Sequence, residues 1–142
     1  MDVSIRKIIA ADIPYFVSLA DQLGYKTNKS YITNRIKLED ENEIVFVALN
    51  MDIPIGWIDC RISRTFLIEP ICEIVGLIVD ENYRSMGIGE MLNHQCEKWA
   101  MGKGINSILV RSNVVRERAH GFYLKNGYVL KKKSCVFTKQ LF

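Results

Sequence analysis

The chain lacks the features that mark membrane and secreted proteins. Its longest apolar stretch, Ile74–Val79, is interrupted only by Gly76, whereas a membrane-spanning helix needs about 20 apolar residues. Asp2, Arg6 and Lys7 precede any long apolar run, so no secretory signal peptide is recognisable. These absences predict a soluble protein without a membrane partner.

Patterns of metal-binding and disulfide-bonded proteins are also missing. The four cysteines are widely separated, none forms a Cys-x-x-Cys pair, and the chain has only two histidines. Without a secretory signal, reduced and buried thiols are the expected state of Cys60, Cys72, Cys96 and Cys135. We therefore predict no metal site and a cytoplasmic location.

Charge and composition are those of an ordinary globular domain. The net charge of +3 suits an anionic ligand but is too weak and dispersed for a nucleic-acid-binding protein. The triplet Lys131-Lys132-Lys133 is typical of a solvated strand end. Its 142 residues, 49% of them hydrophobic and 25% charged, predict that residues 1–142 form a single domain.

Strand-like and helix-like segments alternate along the chain. Apolar residues at helical spacing predict helices between Asp12 and Gly24 and over Lys29–Glu39, Gly87–Met101 and Val115–Lys125. β-branched and aromatic runs predict strands over Ser4–Ile9, Ile44–Leu49, Pro54–Arg64, Ile71–Val79, Ser107–Arg111, Tyr128–Lys132 and Cys135–Lys139. The last two would form a closing hairpin. The predicted fold class is α+β (mixed α/β), with about seven strands and four flanking helices.

The strongest functional signal is the segment Arg84-Ser85-Met86-Gly87-Ile88-Gly89, between the most apolar strand and an amphipathic helix. Glycines let backbone amides approach a ligand, and a helix start presents unpaired N–H groups and a positive dipole end. Because Arg84 adds a cation, the segment suits a pyrophosphate. It matches neither a P-loop nor a complete Rossmann fingerprint. A strand–helix turn that merely needs glycine is the alternative.

Two blocks of sequence resemble the GNAT superfamily of N-acetyltransferases. The first is an apolar strand, Glu73–Val79, then the loop Asp80–Tyr83 and Arg-x-x-Gly-x-Gly opening a helix. The second is a later strand–helix–strand segment with Asn113, Arg116, Ala119, Phe122-Tyr123 and Asn126-Gly127-Tyr128. The motifs cover about residues 71–130, and the order of elements extends the resemblance to the whole chain.

The resemblance implies a mixed, mostly antiparallel sheet that opens between Ile71–Val79 and Ser107–Arg111. The pantetheine arm of acetyl-CoA is expected in that opening, on main-chain groups of Leu77, Ile78 and Val79. The pyrophosphate is expected beside Arg84, on the amides of Ser85, Met86, Gly87, Ile88, Gly89 and Glu90. The carboxamide of Asn113 is expected to contact the same cofactor, with a loop-capping role as the alternative.

The implied reaction is direct transfer of an acetyl group from acetyl-CoA to a primary amine. Tyr123 matches the family position of the acid that protonates the departing thiolate, and a phenol with a pKa of about 10 suits that task. Packing of the Phe122-Tyr123 pair is the alternative. A backbone N–H near Val79 is the expected donor to the oxyanion.

Glu73 is the predicted base, with Asp59 as a weaker candidate. Alternation along an unbulged strand puts Glu73 on one face with Val75, Leu77 and Val79. A carboxylate in so apolar a strand is costly unless it is paired or functional. A strand-end glutamate facing solvent is the alternative.

The acceptor expected from the resemblance is an amine on a small molecule or a protein, bordered by the first two helices with Tyr25 and Tyr31. A non-catalytic acyl-CoA-binding sensor or regulatory module is the alternative function. Such a module would need neither Tyr123 nor Glu73, so the presence of both residues favours an enzyme. Turnover of acetyl-CoA with an amine distinguishes the enzyme from the binding module. A homodimer is the default assembly, because two-fold dimers are the commonest closed oligomers.

Overall fold

The structure is a computed structural model that describes residues 1–142. Its strands and α-helices, in chain order, are β1 (Val3–Lys7), α1 (Ile13–Gln22), α2 (Lys29–Leu38), β2 (Glu43–Asn50), β3 (Ile53–Ser63), β4 (Ile71–Val79), α3 (Ile88–Gly102), β5 (Ile108–Val110) and α4 (Glu117–Lys125). Backbone contacts divide the chain into two compact units, Met1–Val110 and Arg111–Phe142. The first unit holds the sheet and helices α1 to α3, and the second holds α4 and the C-terminal residues.

The sheet confirms the predicted fold class but not the predicted number of strands. Five strands lie in the order β1-β2-β3-β4-β5. The first four pair antiparallel, and β5 pairs parallel to β4. The result is a mixed, mostly antiparallel sheet with four α-helices, as the resemblance implied.

The predicted closing hairpin is wrong. No strand forms over Tyr128–Lys132 or Cys135–Lys139, and residues 129–142 are exposed and form no backbone–backbone hydrogen bond. A strand exists only where another backbone completes its ladder, whereas β-branched and aromatic residues indicate only the capacity to pair.

Hydrophobic residues pack on both faces of the sheet in the first unit. On one face Phe16 of α1 stacks on Trp57 of β3, with ring centroids 4.1 Å apart. On the other face α3 packs against β3 and β4, and its Cys96 lies 3.8 Å from Cys72 of β4, sulfur to sulfur. The two faces follow from the alternation of side chains along each strand.

The cysteine prediction holds for three of the four residues. Cys60, Cys72 and Cys96 are buried and free, whereas Cys135 is free but exposed. The pKa of the Cys72 thiol is raised by its contact with Cys96 and by burial. These buried sulfurs therefore act as small apolar core groups.

Asp12 precedes α1 as predicted, but its carboxylate does not cap that helix. It accepts hydrogen bonds from Nη1 and Nη2 of Arg6, at 2.6 and 3.0 Å. It also accepts one from the backbone N–H of Ile9, at 2.9 Å. The bidentate ion pair thus ties the end of β1 to the turn before α1.

Candidate active site

Strand β4 contains a bulge halfway along its length. Asp59 of β3 pairs with Gly76, but the next residue, Cys60, pairs with Ile74. Val75 is therefore an extra residue on β4 that pairs with no residue of β3. A bulge of this kind bends the strand and reverses which face the later side chains occupy.

The bulge separates Glu73 from the later half of β4. Glu73 pairs with Arg61, whereas Leu77 pairs with Ile58. Because Arg61 and Ile58 are three residues apart on β3, they lie on opposite faces of the sheet. The expectation that Glu73 shares a face with Leu77 and Val79 is wrong, since it required a strand without a bulge.

The sheet opens beside the second half of β4, as the resemblance implied. Strand β5 pairs with β4 only at Cys72, Glu73 and Ile74. From Val75 to Val79 the edge of β4 that faces away from β3 has no strand partner. The main chain of Leu77, Ile78 and Val79 borders this gap.

The loop between β4 and α3 presents backbone donors at the end of this gap. Ser85 and Gly87 have positive φ angles, of 63° and 81°, a region that favours glycine. No side chain caps α3, whose N-cap residue is Gly87. The amides at the start of α3, Ile88, Gly89 and Glu90, are therefore available to an anion at the positive end of the helix dipole.

Arg84 is fixed next to these amides. Its Nε donates to the carbonyl oxygen of Val79, at 3.3 Å, so the half-buried side chain is held at the end of β4. A Cβ built on Gly87 would meet no atom within 4 Å, which shows open space in front of the loop. The combination of uncapped amides, an anchored guanidinium and open space fits the pyrophosphate of acetyl-CoA.

A second group of polar residues lies around Asp59, on the face that α1 covers. The Arg35 guanidinium donates to the Glu43 carboxylate, and Arg61 Nη2 lies 3.4 Å from Glu73 Oε1. Asp59 Oδ1 is buried without a hydrogen-bond partner. Burial, and then the neighbouring Glu43 carboxyl, raise the pKa of Asp59 to about 8, despite the opposing effect of both arginines.

The aromatic pair of the second unit lies on and after α4. The rings of Phe122 and Tyr123 meet edge to face, with centroids 5.3 Å apart. Tyr123 also meets Tyr128 in the same way, at 5.4 Å. Tyr128 is held there because its N–H donates to the carbonyl oxygen of Tyr123, at 3.0 Å.

Asn113 forms the capping contact that was the alternative to cofactor binding. Its Oδ1 accepts from the N–H of Val115, at 3.1 Å. Its carbonyl oxygen accepts from the N–H of Arg116, at 3.0 Å, and lies 2.9 Å from His120 Nε2. Asn113 thus organises the turn before α4, and its contact with a cofactor stays a prediction.

Comparison with known proteins identifies the family. Residues 7–128 match the model of the acetyltransferase (GNAT) family. The chain belongs to the GNAT acetyltransferase family. No curated protein sequence matches it.

Three solved structures illustrate the shared GNAT fold. AAC(6')-Iy, solved with the bisubstrate analogue CoA-S-monomethyl-acetylneamine, has a TM-score of 0.87 at 16% identity over 99% of each chain. The aminoglycoside 6'-N-acetyltransferase AAC(6')-Ih from Acinetobacter baumannii has a TM-score of 0.84 at 16% identity, also over 99% of each chain. A transcriptional regulator from Bacillus halodurans C-125 has a TM-score of 0.84 at 22% identity, over 97% of this chain and 100% of that one.

In this GNAT chain, the first unit brings together the predicted pantetheine edge and the predicted pyrophosphate loop. It places Glu73 on the opposite face from Leu77 and Val79. Asn113 and Tyr123 belong to the second unit. No helix has the length and apolar character that a membrane crossing requires, and no group of three or more metal-ligating side chains is formed.

Sequence reasoning missed the carboxyl pair of Glu43 and Asp59. The polar Asp59 within an apolar strand is a visible signal, but the sequence predicts it only as a weaker candidate than Glu73. Nothing in the sequence marks Glu43 as a neighbour of Asp59, because the two residues come close only through the pairing of Val45 with Asp59. That register appears only in the folded sheet.

Proposed function

We propose that this GNAT protein transfers an acetyl group from acetyl-CoA to a primary amine of a small molecule. One observation carries the proposal: the uncapped start of α3, with Gly87 at positive φ, lies beside an anchored Arg84 at the open edge of β4. A fold that only needed a turn at this point would not require both the open sheet edge and the fixed cation.

The residues of the first unit would bind and orient the co-substrate. Main-chain groups of Leu77, Ile78 and Val79 would pair with the pantetheine amides in the gap beside β4. The amides from Ser85 to Glu90, together with Arg84, would hold the pyrophosphate. Acetyl-CoA supplies a thioester that is reactive toward a neutral amine. We retain Asn113 as a proposed further contact, on the strength of its motif position.

Two residues are proposed to handle protons. Tyr123 would give its phenolic proton to the departing sulfur, a role supported by its place in the family motif. Glu73 would take the proton of the attacking amine, directly or through water. The backbone N–H near Val79 would stabilise the developing oxyanion.

Asp59 is a second candidate for the base, and the register of the sheet favours it. It pairs with Gly76, three residues from Val79, whereas Glu73 is six residues away. At about 3.3 Å per residue, these separations are roughly 10 and 20 Å along β4. A carboxyl with a pKa of about 8 is also close to the value that suits a base at neutral pH.

The acceptor we propose to test first is a small amine with several ammonium groups. Two of the similar structures are aminoglycoside acetyltransferases. The carboxyl groups near Asp59 do not by themselves select a cation, because Arg35 and Arg61 already pair with Glu43 and Glu73, so the choice of acceptor rests on those two structures. Tyr25 and Tyr31, both exposed, are proposed to border it.

The deciding experiment measures free thiol released from acetyl-CoA with a panel of aminoglycosides, polyamines, amino acids and peptides. Amine-dependent thiol release is the expected result. Binding of CoA by calorimetry without turnover of any amine would favour the alternative, a non-catalytic acyl-CoA sensor. The family match runs across both compact units, so we propose a single acetyltransferase domain, acting in the cytoplasm.

A further inference from the structure

Glu43 and Asp59 are neighbours on the face of the sheet that α1 covers. Val45 of β2 pairs with Asp59 of β3, and Glu43, two residues before Val45, pairs with Arg61. Glu43 and Asp59 are therefore diagonal neighbours on adjacent strands, with Cα atoms about 7–8 Å apart and side chains on the same face. Two carboxyl groups this close oppose each other's ionisation.

The two carboxyl groups have unequal partners. Arg35 of α2 donates to the Glu43 carboxylate, and its Nη2 lies 3.5 Å from Asp40 Oδ2. Asp59 Oδ1 is buried and has no hydrogen-bond partner. A nearby cation favours the ionised form of a carboxyl group, whereas burial disfavours it. The arrangement thus stabilises a negative charge on Glu43 and a proton on Asp59.

The other groups around Asp59 leave this inequality in place. Arg61, two residues along β3, has its Nη2 3.4 Å from Oε1 of Glu73 on β4. The side chains of α1 that pack onto this face are apolar. Burial and Glu43 raise the pKa of Asp59 to about 8, and the two arginines, Arg35 and Arg61, oppose this rise only in part.

We propose that Glu43 and Arg35 are positioning residues that confine the exchangeable proton of this carboxyl pair to Asp59. Arg35 keeps Glu43 ionised, and the fixed negative charge of Glu43 increases the affinity of Asp59 for a proton. The proposal rests on the acetyltransferase function proposed above. In that reaction the amine N–H bond breaks, and an O–H bond forms on the ionised Asp59, which becomes a neutral carboxyl group beside the charged Glu43.

The titration of the two carboxyl groups tests the proposal without any acetyl transfer. In protein labelled with ¹³C, the side-chain carboxyl signals of Asp59 and Glu43 are followed by NMR as the pH is raised. Asp59 is expected to titrate near pH 8, whereas Glu43 is expected to show no protonation step in that range. A protonation step on Glu43 there, with Asp59 already ionised, would overturn the proposal.

Removal of the neighbouring charge tests Glu43. Glu43→Gln keeps the shape of the side chain without its charge, and should lower the titration midpoint of Asp59 by about one pH unit or more. Glu41→Gln, at an exposed site two residues away, is the matched control and should leave the midpoint unchanged. An unchanged midpoint in a Glu43→Gln protein that circular dichroism shows to be folded would disprove the role of Glu43.

Arg35 is tested by loss and by rescue. In Arg35→Gln the two carboxyl signals are expected to move together over one pH range, because the proton is no longer confined to Asp59. Arg35→Lys restores a cation and is expected to restore separate titrations. Lys37→Gln, at an exposed site on the same helix, is the control. Titrations that stay separate in a folded Arg35→Gln protein would disprove the role of Arg35.

The pH profile of activity connects the carboxyl pair to the reaction. In Glu43→Gln the midpoint of kcat/KM is expected to move to lower pH by the same amount as the NMR titration of Asp59, while the affinity for CoA stays unchanged. A shifted titration with an unshifted activity profile would overturn the positioning role. Absence of turnover with every amine would contradict the proposed function itself, and the titrations, which need no substrate, distinguish that outcome from a wrong assignment of the proton.

Discussion

At the scale of single residues, Asp59 shows how strongly the surroundings change one side chain. Its Oδ1 is buried without a partner, and burial together with Glu43 raises its pKa from 3.8 to about 8. The folded protein therefore holds a proton on Asp59 between about pH 4 and pH 8, where the unfolded chain has lost it. The free energy of unfolding must fall as the pH rises through that window.

The pH dependence of stability is the first prediction. The contribution of Asp59 is complete below about pH 4 and is lost as the pH approaches 8, with a slope of up to about 1.4 kcal/mol per pH unit. Asp59→Asn keeps a neutral polar side chain and should remove this slope. Urea unfolding between pH 5 and pH 8 measures it, with Asp21→Asn, at an exposed site on α1, as the control. Parallel curves for wild type and Asp59→Asn would contradict the prediction.

The identity of the base is tested by the pH profile of activity. If Asp59 accepts the proton, kcat/KM of the wild type rises through about pH 8, and Asp59→Asn loses that rise. If Glu73 accepts it, Glu73→Gln lowers kcat/KM more at neutral pH than at high pH, where more of the amine is already neutral. Steady-state rates from pH 6 to pH 10 separate the two. If the pH profile is unchanged in both variants, neither residue is the base.

The role of Tyr123 is tested by removing one oxygen. Tyr123→Phe keeps the ring contacts with Phe122 and Tyr128, so the melting temperature should change little. If the phenol protonates the sulfur, kcat should fall by roughly 10²–10⁴-fold. Tyr128→Phe removes the same group from the neighbouring ring and serves as the control. A normal rate in Tyr123→Phe would show that water supplies the proton.

At the scale of elements, helices were predicted closely and strand details were not. Helix α3 was predicted over Gly87–Met101 and forms over Ile88–Gly102, because its glycines and apolar stripe are local signals. The bulge at Val75 has no such signal, since it depends on how β4 aligns with β3. That one extra residue decides which face Glu73 occupies.

The loop before α3 is the element on which CoA binding should depend. Gly87→Val places a β-branched side chain at a φ of 81°, which costs roughly 1–2 kcal/mol or shifts the loop. We expect the affinity for CoA, measured by calorimetry, to fall about tenfold or more. Gly102→Val, at the other end of α3, is the matched control, because a Cβ there also meets no atom within 4 Å. If a folded Gly87→Val protein binds CoA as tightly as the wild type, this loop is not part of the CoA site.

At the scale of the whole molecule, sequence patterns predicted the fold class better than the partners of its strands. Residues 129–142 have the composition of strands, but no neighbouring backbone completes a ladder with them. Such a pairing depends on residues that are distant in the sequence, and no local pattern encodes it.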